Sequence, residues 1–153
     1  MTDNADTFPS SKERTNDIYR YCTFYLLLRQ SEKFSQITTE LFSALDDNSI
    51  NAVTSAITLA EILIKPYQKN DTVLIEKYLL HFRSGINLKV HSLTESIAIR
   101  AAQLRASYPS IKTIDSLQVA TALSAGIKIF LTNDFQLKQI KELTVVTLSD
   151  LEI

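Results

Sequence analysis

The sequence predicts an α/β domain, a central parallel sheet flanked by helices, and three observations carry that prediction. Segments of strand character alternate with segments of helical spacing along most of the chain, and such alternation calls for a parallel sheet with helices on both faces. The run Ile127–Leu131 is nearly continuous in apolar residues, which suits a strand covered on both sides. The chain has only two glycines and three prolines, so long flexible loops are not expected.

The elements follow in order. Residues 1 to 16 are rich in Asp, Asn, Ser and Thr and read as a flexible polar tail. Residues 17–153 carry no linker and no repeat and read as a single domain. The stretch IYRYCTFYLLL, from Ile18 to Leu28, is apolar and aromatic and predicts the first strand. Phe34, Ile37, Leu41, Phe42 and Leu45 recur at helical spacing and predict a helix. INAVTSA reads as a short strand, and ITLAEILIKP as a helix stopped by Pro66. DTVLIEKYLLHFRSG predicts a helix closed by Gly85, and INLKVHSL a strand. TESIAIRAAQLRASYP predicts a helix ending before Pro109. TIDSLQVATALSAG predicts another, with Gly126 just past its end. IKIFLT is a strand, a short helix follows, and LTVVTL is the last strand.

Bulk properties exclude several classes. The 153 residues suit one compact domain. The composition, 45% hydrophobic and 22% charged, is that of a soluble globular protein. No apolar run approaches the roughly 20 residues of a membrane span, and the N-terminal residues lack the apolar core of a secretory signal. Cys22 is the one cysteine, so no intrachain disulfide forms, and a cytoplasmic setting is expected. A net charge of −1 gives no general attraction for nucleic acid, which must be gripped locally.

Three acids stand out. Asp134 follows the apolar strand ending in Thr132, where ligands of parallel sheets sit; its simplest role is a helix cap. Glu61 lies among Leu59, Ala60, Ile62, Leu63 and Ile64. It pairs with Lys65 if that helix face is solvated, and needs a partner or a cleft if the helix is buried all round. Asp115 falls in the first turn of an apolar helix, where the dipole alone favours a carboxylate. His81 and His91 share no metal-ligand spacing, and Cys22 has no nearby base, so all three read as structural or surface residues. Arg100 and Arg105 read as a solvated helix face. No glycine loop could cradle a phosphate, because the glycines are Gly85 and Gly126.

TLAEILIKP, IDSLQVATAL and IFLTND, taken together in this order, resemble the PIN-domain family and its VapC-like ribonuclease toxins. The resemblance runs from about Ile18 to the C-terminus. It implies a PIN-like three-layer α/β/α fold in which Glu61, Asp115 and Asp134 match acidic metal ligands and catalytic residues, with Thr132 and Asn133 in support. It implies an endoribonuclease that cuts single-stranded RNA with Mg2+ or Mn2+, acts as a toxin, forms a homodimer and is held by an antitoxin protein, with no membrane partner. Carboxylate oxygens suit such hard cations, which activate water and steady phosphate oxyanions. The family's first strand ends in an Asp, and alignment of YRYCTFYLLL on that pattern puts Arg20 in its place; Asp17, three residues earlier and so roughly 10 Å away along a strand, is a poor substitute. An Arg there would act as an internal cation. The alternative is therefore a catalytically degenerate PIN domain that binds antitoxin or RNA without cutting. Outside the family, a phosphate-accepting signalling domain would need paired acids after the first strand and a lysine after the last, and neither is evident. The acid cluster by itself would also suit a metal-dependent phosphatase.

Overall fold

A computed structural model of the chain describes residues 23–26, 35–84 and 86–151. The polar tail expected over residues 1 to 16, and Asp17, Arg20, Cys22 and Gly85, lie outside the described residues. Five strands, β1 (Thr23–Leu26), β2 (Asn51–Ser55), β3 (Leu88–His91), β4 (Ile129–Thr132) and β5 (Thr144–Thr147), form one sheet in the order β3-β2-β1-β4-β5. Every pairing is parallel. The helices are α1 (Ser35–Asp46), α2 (Ala56–Gln68), α3 (Thr72–Ser84), α4 (Glu95–Ser107) and α5 (Thr113–Ser124). Two 3-10 turns, Phe135–Gln139 and Leu148–Leu151, follow β4 and β5.

Both faces of the sheet are covered, as the apolar strands require. Successive residues point to opposite faces, so Phe130 joins one core cluster and Leu131 the other. Val53 and Ala52 divide in the same way. The first cluster takes Ile97, Ala101 and Leu104 from α4 with Val119, Ala120 and Ala122 from α5. The second takes Phe42 and Leu45 from α1, Ile62 from α2, and Tyr78 and Phe82 from α3. The expected three-layer α/β/α fold is therefore present.

Some expectations are corrected. Pro66 does not stop α2, which continues to Gln68 with Pro66 buried inside it. Its missing N–H falls in the last turn, where loss of one helical bond is tolerated. Nor is α2 buried all round: Ile64 is 55% and Tyr67 58% exposed. The tight connections are made by Asn48, Asn70 and Asn87, all at positive φ, a conformation asparagine tolerates through its short polar side chain. Gly126 at φ +73 does close α5 as expected. The strand expected from Ile18 to Leu28 is described only over Thr23–Leu26.

Candidate functional site

In this strand order the chain leaves β1 in one direction to build β2 and β3, then crosses back to place β4 on the other side. Such a reversal opens a crevice at the carboxyl ends of the central strands, where α/β domains bind ligands. The crevice here lies past β1 and β4. Helix α2 starts at that edge directly after β2. Helix α5 begins there as well, because it runs back across the sheet before β4.

Asp134 stands at this edge, immediately beyond β4. Its Oδ1 accepts from the Gln136 N–H at 2.9 Å and so caps the following 3-10 turn. Its own N–H donates to Thr132 Oγ1 at 3.0 Å. The capping role is thus realised, and it engages one carboxylate oxygen. Thr132 is fully buried and Asn133 half-buried.

Asp115 sits in the first turn of α5 and is only 2% exposed. The helix dipole favours a carboxylate there. A helix-start aspartate placed only for that effect would normally stay in water, since burying a carboxylate is costly. Helix α5 has no side-chain cap from Lys112 at its start.

Glu61 is half-buried on α2, and its partner is a residue that sequence reading missed. Gln118 has no exposed surface. Its Oε1 accepts from Ser55 Oγ at 2.6 Å. Its Nε2 donates to Thr58 Oγ1 at 3.0 Å and, at a longer 3.4 Å, to Glu61 Oε2. Ser55 also caps α2, through the Ile57 N–H. Gln118 lies three residues after Asp115, so the two occupy neighbouring positions on one helix face. One amide thus ties the end of β2, the Glu61 carboxylate and the Asp115 face of α5 together. The available signal was a glutamine in IDSLQVATAL, one turn after the acid and followed by the mostly apolar VATAL.

The three acids belong to elements that meet at one edge, yet they are not gathered equally. Glu61 and Asp115 are linked through Gln118 and its helix, whereas Asp134 is held by Thr132 and the 3-10 turn. Among the described residues, no three His, Cys, Asp or Glu side chains stand close enough together to hold a metal ion. The carboxyl end of β1, the fourth contributor to the crevice, lies at or beyond Leu26. Arg20, three residues before Thr23, lies outside the described residues. The chain has no Asp or Glu between Asp17 and Glu32.

His81, Arg100 and Arg105 are held in structural or surface contacts. His81 Nδ1 lies 3.1 Å from Asp46 Oδ1, and its ring stacks on Phe42 with centroids 4.7 Å apart. Arg100 contacts Gln103 and Arg105 contacts Thr113, both in exposed bonds, as a solvated face requires. Among the described residues no helix is long and apolar enough to cross a membrane.

Comparison with known proteins agrees with this architecture. A toxin–antitoxin complex from Klebsiella pneumoniae is similar with a TM-score of 0.54 at 19% identity, over 82% of this chain and 96% of that one. VapBC2 from Rickettsia felis, bound to a DNA fragment from its promoter, gives 0.59 at 14% identity, over 82% and 98%. FitAB bound to a DNA fragment gives 0.59 at 20% identity, over 86% and 96%. At these identities the likeness shows the fold alone. No curated protein matches the sequence significantly. The PIN domain family matches residues 24–143, from within β1 to just before β5. The chain belongs to the PIN-domain family.

Proposed function

We propose that the chain is a PIN-type toxin that cleaves single-stranded RNA with Mg2+ or Mn2+, using Glu61, Asp115 and Asp134. The observation that carries the reading is Asp115, a carboxylate 2% exposed at the crevice edge of the sheet. Membership in the family and the likeness to toxin–antitoxin complexes support it. By residue type the three side chains suit a divalent cation, since all offer hard oxygens; among the described residues no three such side chains stand together, so the cation would have to draw them in. When bound, such a cation supplies an activated water and charge for the phosphate oxyanion.

The remaining roles fall to the chain itself. Gln118 orients Glu61 through its amide. Thr132 fixes the backbone at Asp134, whose capping bond sets the direction of its side chain. Asn133 completes the polar lining. An antitoxin protein is the proposed partner, the homodimer the proposed assembly and the cytoplasm the proposed setting. The test is cleavage of a labelled single-stranded RNA in magnesium or manganese. Loss of all cutting in EDTA is expected, and metal-independent cutting would refute the reading.

One observation favours a second reading, the degenerate PIN domain that binds without cutting. The whole stretch from Ile18 to Ser31, which contains β1, is free of acids. With no charge from that strand, cation affinity should be weak. Calorimetric titration with manganese on the native chain, Leu27→Asp and Arg20→Asp separates the cases. An acid restored just past Leu26 should raise affinity, whereas one on the amino side of β1 should not. Tight binding by the native chain would remove the second reading.

A further inference from the structure

Beside Asp134 lies a group of residues that none of these roles uses. Phe135 follows it directly and is 71% exposed. Lys138 Nζ lies over its ring, 4.9 Å from the centroid. That ammonium is in turn fixed by Asp150, at 2.9 Å from Oδ1 and 2.7 Å from Oδ2. Asp150 is anchored to the end of β5, accepting from Thr147 N–H at 2.8 Å and from Thr147 Oγ1 at 2.6 Å. A chain of contacts thus runs from the sheet through Asp150 and Lys138 to one face of an aromatic ring. Ile114, 46% exposed, offers a second apolar surface at the same edge, next to Asp115.

We infer that Phe135 is a stacking platform for one base of a single-stranded RNA lying along the crevice. The inference rests on the proposed RNA substrate and holds for cutting and non-cutting readings alike. A base stacked on the exposed ring takes apolar surface of both out of water. Sequence-tolerant stacking on aromatic rings is how single strands are commonly held. Lys138 occupies one face by a cation–π contact, and so presents the other face to the ligand in a fixed attitude. Because Asp150 already balances the Lys138 charge, the platform holds the base and not the phosphates. Its contribution to binding should therefore depend little on salt, unlike backbone contacts.

The experiment is fluorescence anisotropy of a labelled single-stranded RNA octamer with the full chain in EDTA, where binding is read without cutting. Phe135→Ala should weaken binding by roughly 5- to 150-fold, the range of one lost base stack. Phe135→Trp should restore it. The loss should persist as salt is raised, and should vanish with an abasic octamer of the same length. Equal affinity of the native chain and Phe135→Ala for the normal octamer overturns the platform and leaves the nuclease reading to its own metal test. A loss equally large with the abasic octamer also overturns it, since the ring would then not be reading a base. Absence of any RNA binding by the native chain overturns the platform and the RNA reading together.

Discussion

Helix α5 is buried along both flanks, and the two flanks are chemically opposite. Toward α4 it presents Val119, Ala120 and Ala122 to Ile97, Ala101 and Leu104, all in one apolar cluster. Toward α2 it presents Gln118 to Ser55, Thr58 and Glu61, a seam made of hydrogen bonds. Burial is similar, since Val119 and Gln118 are both inaccessible. The energetics differ. Apolar surface leaving water stabilises the fold by roughly 25 cal/mol per Å2, whereas a buried hydrogen bond nets only about 1 kcal/mol after desolvation. With Ser55 and Thr58 apolar too, an apolar residue at position 118 would serve stability as well. Beyond what it adds to the fold, the polar seam reaches Glu61.

Breaking the apolar seam should have the largest effect on stability. Leu104→Ala, at a site 2% exposed, should cost about 2–5 kcal/mol through lost transfer energy and a residual cavity. Urea denaturation checks this, and a smaller loss would mean that the α4–α5 seam collapses to fill the space.

The polar seam should respond differently. Gln118→Leu leaves the Ser55 and Thr58 hydroxyls without their amide partner and should cost about 1–3 kcal/mol. Gln118→Glu keeps the acceptor for Ser55 but sets a carboxylate against Glu61, so it should also lose stability at neutral pH and regain part of it in acid. If both variants unfold with the native midpoint, the seam is not the organised network described here.

The smallest effect belongs to the Lys138–Asp150 pair. The hydrogen bond from Lys138, with those from Thr147, holds the Asp150 carboxyl down at about 2, against an ordinary value of 3.8. A depressed carboxylate stabilises the fold above its unfolded value. That stability is lost as pH falls from about 4 through about 2. Both side chains are partly in water, with Asp150 42% exposed, so the contribution is discounted to about 1 kcal/mol or less. Lys138→Met should flatten the acid limb of the stability curve by that amount, read by thermal melts across the window.

The same contrast explains what could be read from the sequence. The apolar side was legible because periodicity reports burial: Ile127–Leu131 announced a two-sided strand, and Ile97, Ala101 and Leu104 recur at helical spacing. Turn chemistry was read less well. Glycine and proline were taken as the punctuation, while Asn48, Asn70 and Asn87 make the positive-φ turns and Pro66 sits inside a helix. The acids could be picked out by residue type and position, but the seam could not. Gln118 is one of several polar residues in its helix, and its three partners lie about 60 residues away in sequence. Only the crossing of α2 and α5 brings them together. Of the first strand, read from an apolar and aromatic run over Ile18–Leu28, the described part is Thr23–Leu26.

The central claim is that the polar flank of α5 carries the activity and the apolar flank does not. Asp115→Asn tests it most directly, because the amide keeps the shape and removes the charge at a buried position. Cleavage of single-stranded RNA in manganese is measured for the native chain, Asp115→Asn and Leu104→Ala, each at a temperature where melting shows it folded. The account predicts measurable cleavage by the native chain and by Leu104→Ala. For Asp115→Asn it predicts a loss of about 10²-fold or more, the scale of removing one major electrostatic element. Native-rate cleavage by folded Asp115→Asn, or none by the native chain with metal in excess, would contradict it.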